Sequence, residues 1–279
     1  MKHTLVPLAV ALAVLLPIFP AAGQVPDRLK YFIPAPPAGL QEAASFGWRV
    51  AQDARYTVVG APFDDIGGGD SGVVKVFDST TGALLFLLTN PGPATPDMSD
   101  NFGFAVAISG TRLVVAAYHE DMGSTDSGSA YVYDLSSSTP TVPVVTLHNP
   151  SPTLNDQFGY SVAISGDTVA VGAVNESSKA TGVNGDQADN SALKSGAAYL
   201  FVRRGTTWSQ QAYLKASNTG THDRFGRLVA VSGDTVVVGI SRLPGTTAGV
   251  NSTPDENASI SGAAYIFKVG NRANGERRP

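Results

Sequence analysis

Oxygen-bearing side chains collect in three short stretches of this chain: Asp64, Asp65 and Asp70 in the first, Asp121 and Asp126 in the second, Asn184, Asp186 and Asp189 in the third. Carboxylates and carboxamides grouped in this way are candidate ligands for a hard divalent cation such as calcium, which takes about six to eight oxygens. The same residue types also close local backbone turns, and none of the three groups has a spacing that specifies a metal. His119, His148 and His222 fall in separate stretches, without the His-x-x-x-His spacing that points to zinc. No Gly-x-Ser-x-Gly elbow, phosphate loop or dinucleotide fingerprint is present, so the sequence names no nucleophile and no cofactor site. Two carboxylates facing each other across a central axis would suit glycoside hydrolysis, in which their separation decides the chemistry. A carbohydrate-active enzyme therefore stands as an alternative to a non-catalytic binding protein.

Composition narrows the classes further. A net charge of −4 excludes the basic stripe of a nucleic-acid binder. There is no cysteine, so disulfides and thiolate metal sites are out and stability must come from core burial. Lys2 and His3 lead into an apolar run from Leu5 to Ile18, too short to cross a bilayer, followed by the small residues Ala21, Ala22 and Gly23. This reads as a signal peptide over 1–23, and it places the protein in the periplasm, at the cell surface or in the medium. No later stretch is long and apolar enough for a transmembrane anchor. Residues 24–270 form the folded part and 271–279 a polar tail.

The elements that must position these side chains come from a repeat. Phe46-Gly47, Phe102-Gly103, Phe158-Gly159 and Phe225-Gly226 each open a strand pattern that runs on to Val-Gly-Ala or a close variant, then Ser-Gly and an aromatic. In the third copy Phe158 to Ile164 alternates as a half-buried strand does, and Ser165-Gly166-Asp167 reverses the chain. Thr168 to Ala173 is the second strand, Gly196 to Val202 the third, and Trp208 to Leu214 the fourth. With 15% charged residues and 30 glycines, the whole chain reads as strands joined by turns.

Tandem four-stranded units with two apolar faces predict an all-β fold: a β-propeller of four four-stranded antiparallel blades. The fourth copy stops after Phe267, whereas Leu29 to Ile33 precedes the first Phe-Gly where the other copies carry a fourth strand. That N-terminal strand is expected to complete the last blade and close the ring. The alternative is an open or incomplete part of a larger propeller.

Phe46-Gly47 followed by Val59-Gly60-Ala61-Pro62 and then Ser71 to Phe77 resembles the FG-GAP repeat of integrin α-subunit propellers. Gly182 to Ser191 ahead of Ser195-Gly196 is similar to the exported bacterial branch of that family, and the resemblance covers roughly residues 28 to 269. It implies an adhesion-like binding module. Integrin-like repeats often carry an acidic calcium loop between the Phe-Gly strand and the Gly-Ala-Pro strand. Here that place holds a tight Ser-Gly-Asp turn, so calcium at the family's usual position is not expected.

In such a blade the 1–2 turns lie at one end and the long 2–3 and 4–1 loops at the other, where recognition usually resides. Most of the 23 acidic residues fall in those long loops, Asp100, Glu120, Asp156, Glu176 and Asp223 among them. The expectation is an acidic loop face that recognises a protein or a glycan. Self-association as a structural repeat is a third reading.

Overall fold

The structure is a computed structural model that describes residues 44–92, 99–241 and 262–269. The signal peptide, the Leu29–Ile33 strand, the C-terminal tail and the domain boundaries that depend on them lie outside the described residues.

Within these, every regular element is a strand. The first sheet comprises β1 (Arg49–Gln52), β2 (Tyr56–Ala61), β3 (Val73–Asp78) and β4 (Leu84–Thr89). The second comprises β5 (Ala105–Ser109), β6 (Arg112–Ala117), β7 (Ser129–Asp134) and β8 (Val145–Leu147). In the third are β9 (Phe158–Ser165), β10 (Thr168–Ala173), β11 (Ala197–Arg204) and β12 (Thr207–Leu214). The fourth holds β13 (Leu228–Ser232), β14 (Thr235–Ile240) and β15 (Ala263–Lys268). Each sheet is an antiparallel meander in chain order. This is the blade of a β-propeller, four times over, with a fourth strand in the first three blades.

The hairpins follow from the sequence. Gly110, Gly166 and Gly233 take φ of 61°, 55° and 55° between strands one and two of their blades, the left-handed geometry that two-residue hairpins require. In β10, Val169 and Val171 point to one face and Ala170 to the other, and both faces are buried. Such a strand needs a sheet on each side. The blades accordingly stack in chain order, the first strand of each lying beside that of the next. Val58, Val74 and Val76 of the first blade bury against Phe102, Leu113 and Tyr133 of the second, and Ala170, Ala198 and Leu200 of the third against Phe225, Val236 and Val238 of the fourth.

The Phe-Gly phrase is the joint. The Phe102 N–H donates to the Ser71 carbonyl at 2.9 Å, Phe158 to Ser127 at 2.8 Å and Phe225 to Ser195 at 2.9 Å, each bond crossing from one blade to the next. A Cβ on Gly72, Gly128 or Gly196 would collide with the backbone of the Phe seated over it, and all three glycines have φ near +80°. A Cβ on Gly60 or Gly172 would strike the carbonyl of the next blade's Gly103 or Gly226. The side-chain-free positions thus let main chain rest on main chain. The turns at the opposite end are stitched as well: Gly166 N donates to Ser109 Oγ, and Gly233 N to Ser165 Oγ, both at 3.1 Å.

Among the described residues no hydrogen bond joins the fourth blade to the first, and the fourth has three strands. The expected all-β fold of four antiparallel blades is present, and the strand expected to close the ring, Leu29 to Ile33, lies outside the described residues.

Replacing Gly128 by Ala combines a positive-φ penalty with a backbone collision, and the expected loss is about 2–4 kcal/mol. Gly166→Ala, which meets open space, costs about 1–2 kcal/mol. Urea midpoints of the two variants measure the difference.

Candidate functional site

At the end of the blades where the long loops emerge, the residue after each Phe-Gly stands at the head of the first strand: Trp48, Phe104, Tyr160 and Arg227. Phe63 and Tyr118 leave the second strands of their blades at the same end. Together these side chains form a continuous file. Trp48 meets Phe63 edge-on at 5.5 Å and Phe104 at 5.6 Å. Phe104 lies 4.1 Å from Tyr118 and 5.3 Å from Tyr160, and the Tyr118 ring meets that of His119 at 3.8 Å, tilted by 37°. Two guanidinium groups rest on this file, Arg49 within 6 Å of the Trp48 and Phe104 rings and Arg227 at 5.8 Å from Tyr160. Among the described residues neither arginine is in a salt bridge. Phe104 is buried as the floor, Tyr118 and Tyr160 are half-buried, and Trp48 is 41% exposed.

His119 closes one side of the file. Its Nδ1 lies 3.0 Å from the Asn101 carboxamide oxygen, and its Nε2 lies 3.0 Å from Gln157 Nε2. A carboxamide oxygen accepts and a carboxamide nitrogen donates, so these partners fix a neutral ring with the proton on Nδ1. Gln157 accepts in turn from Asn175 at 2.7 Å. Burial pulls the His119 pKa below the ordinary imidazole value, against the opposing pull of Asp126 and Asp121.

Several loop carboxylates do not reach the face at all. Asp100, Glu120, Asp156, Glu176 and Asp223 are each no more than 4% exposed. Asn90 donates to both Asp100, at 2.8 Å, and Glu120, at 3.0 Å, and Tyr131 also donates to Glu120. In the next blade Asn149 donates to Asp156 at 2.8 Å. At the third, Ala216 holds the asparagine position, and the ammonium of the neighbouring Lys215 lies 2.8 Å from Glu176, with the Tyr213 hydroxyl on the other carboxylate oxygen at 2.9 Å. Both members of this ion pair are almost fully buried. Burial pushes the Glu176 carboxyl up and pulls the Lys215 ammonium down, each opposed by its partner. These acids tie strand ends to the lead-in of the following Phe-Gly. The negative potential expected of the loop face is reduced accordingly.

The proposed oxygen ligands sit as follows. Asp64 Oδ1 accepts from Ile66 N at 3.0 Å, and Asp65 Oδ1 from the N–H of Asp70 at 2.7 Å. Asp121 repeats that bond to Asp126 N at 2.7 Å. Asp186 accepts from Ala188 N, Asp189 from Lys179 N, and the Asn184 carboxamide from Tyr213 N. Among the described residues, no three His, Asp or Glu side chains come together in a group that could hold a metal ion. At the turn end, where the family resemblance would place calcium, the acids fit other partners. Asp53 accepts from the N–H groups of Ala54 and Gly110, Asp167 faces Arg112 and Arg203, and Asp234 faces Lys268. Three of the four turns carry a single carboxylate, already bonded, and the second, Ser109-Gly110-Thr111, carries none, too few oxygens for a calcium shell.

The aromatic file was not identified from the sequence. Its one trace there is the third residue of each repeat phrase, aromatic in three copies and arginine in the fourth.

Stacked four-stranded antiparallel blades define a propeller-type scaffold. Residues 39–77, 96–133, 152–201 and 208–267 match the family model of the FG-GAP repeat, and the chain belongs to that family. No curated protein matches it. Among the described residues no helix is long and apolar enough to cross a membrane.

Lys215→Met strands the buried Glu176 carboxylate, and the expected loss is about 3–5 kcal/mol, with K215M/E176L recovering most of it in urea titrations. His119, with its folded pKa depressed, binds fewer protons in the folded than in the unfolded chain. Its contribution to stability is whole above the ordinary value of 6.5 and declines as pH falls through it. An NMR titration should find the His119 midpoint below that value, and a His119→Gln variant should lose this part of the acid sensitivity.

Proposed function

We propose that the chain is an exported, non-catalytic binding module that engages a protein partner through the long-loop face, with the aromatic and arginine file as its centre. The observation that carries this reading is the file itself. Trp, Tyr and Arg are the side chains that concentrate binding energy at protein interfaces, because they offer large rigid area with polar tips. They sit here on the first strands of successive blades, a rigid base that lowers the ordering cost of binding. Arg49 and Arg227 add donors for carboxylate or carbonyl groups of the partner. The buried carboxylates support a binding role over a hydrolytic one, since Glu120 and Glu176 are engaged by Asn90, Lys215 and tyrosine hydroxyls. Export rests on the 1–23 leader pattern, and the oxygen-bearing loops of Asp64 to Asp70 and Asp121 to Asp126 follow Phe63 and Tyr118 of the file, whereas Asn184 lies against the outermost strand of the third blade.

A photo-crosslinking residue introduced at Trp48 tests the assignment on intact cells or matrix. Capture of a discrete partner from position 48, reduced about tenfold or more by Arg227→Ala or Tyr160→Ala, is the expected result. Equal capture from position 166, on the turn end, would overturn it. The same variants on a glycan array show whether the ligand is a sugar instead.

A further inference from the structure

The three blade-to-blade joints are alike residue for residue, and so they show what a blade face of this kind is built to receive. The residue four positions after the Ser-Gly glycine is Val76 in the first blade, Val132 in the second and Leu200 in the third, at 0%, 0% and 3% exposure beneath the following blade. Ile266 holds that position in the fourth blade and is 71% exposed. Ala264, the counterpart of the fully buried Val74, Ala130 and Ala198, is likewise exposed. Gly239 matches Gly60 and Gly172, yet a Cβ there would meet only Leu228 of its own sheet, at 3.5 Å. Gly262 keeps the left-handed φ of +73° shared by Gly72, Gly128 and Gly196, and the atoms nearest to it belong to Ile240 and Ser241 of its own blade rather than to a seated Phe. The receiving half of a joint is therefore present and uncovered, with Leu228 at 67% exposure on its inner edge.

The seating half is found at the other end. Phe102, Phe158 and Phe225 are fully buried, whereas Phe46 is only half-buried. A Cβ on Gly47 would meet nothing within 4 Å, although Gly103, Gly159 and Gly226 all lie against the blade before them. Val50 is 67% exposed, and its counterparts Val106, Val162 and Val229 pack into the joints. Further out on that face Val59, Lys75 and Phe77 are buried, so the open part follows the innermost strand. The innermost strands are also where successive blades lie most closely together. Among the described residues no strand pairing joins the two halves.

We propose that they meet between two copies of this chain, with Phe46-Gly47 and Val50 of one copy seated on Gly239, Gly262, Leu228 and Ile266 of the other. The contact is heterologous, head to tail, and closes only when the second copy returns the same contact to the first. It uses the packing already present three times in each chain, in which a Phe-Gly lead-in and the innermost strand of one blade lie against the glycines and apolar side chains of the blade before. The partner is another copy because the receiving face is shaped for a sheet that begins with Phe-Gly, and this chain supplies one such lead-in that is unseated.

Light scattering coupled to size-exclusion chromatography of the purified chain at rising concentration tests this. The expected mass is twice that of one chain or a larger multiple. The variant L228K/I266K, blocked on the receiving face, and Val50→Lys, blocked on the seating side, should each run at half the dimer mass or less, with unchanged circular dichroism. Mixed in equal amounts, the two variants retain one intact half each and should recover a two-chain species. A wild-type mass of a single chain at every concentration would overturn the proposal. So would a wild-type dimer that survives both substitutions, or variants that fail to pair when mixed, since a head-to-tail joint requires both outcomes.

Discussion

The packing of one backbone directly on another sets the terms for this protein. Where a Phe-Gly pair crosses onto the preceding blade, the main chain approaches so closely that Gly60, Gly72, Gly128, Gly172 and Gly196 have no room for a Cβ. The buried N–H of each Phe finds its acceptor across the joint rather than within its own sheet. This explains why the family phrase pairs an aromatic with glycine, and why glycine recurs near the end of the second strand, as Gly60 and Gly172, and ahead of the third. The ring of each Phe packs on aromatics of its own third strand, Tyr131 and Tyr133, or Tyr199 and Phe201, while its backbone serves the neighbour. A single residue thereby couples the interior of one blade to the edge of another.

The polar residues at the loop end belong to the same device. An Asp two positions before Phe is buried in three copies, as Asp100, Asp156 and Asp223. In the first two of these it accepts from an asparagine at the end of the preceding fourth strand. In those two copies the bond ties the lead-in that carries Phe104 or Tyr160 to the preceding blade. The blade joint and the aromatic file are thus supplied by adjacent positions of one phrase.

Much of the architecture was legible in the residues. The Ser-Gly turns, the small second strands and the paired aromatics of the third strands each have a local physical cause, so strand order and pairing could be read for Phe158 to Leu214 almost to the residue. The fate of the acids was not legible. A carboxylate such as Glu120 or Glu176 looks like loop polarity until Asn90, Lys215, Tyr131 and Tyr213 arrive from elsewhere in the chain to surround it. Lys215 reads as a surface charge for the same reason, although it is among the most buried side chains. The aromatic file escaped notice because Trp48, Phe104 and Tyr160 alternate like any strand residues. Only stacking the blades brings them within 6 Å of one another. Closure of the array rested on Leu29 to Ile33, which lie outside the described residues.

Joints made from main-chain atoms and glycines carry little information about which blade should follow which. The Phe102, Phe158 and Phe225 contacts are almost interchangeable, so the order of units in the array is imposed by covalent connection alone, with side chains such as Lys215 and Glu176 marking one unit as different. Evolution can then add, delete or transpose whole units with little retuning of their neighbours, and let the loops diverge freely. The Lys215–Glu176 pair is the kind of local signature that would make such a transposition costly at one place in the series.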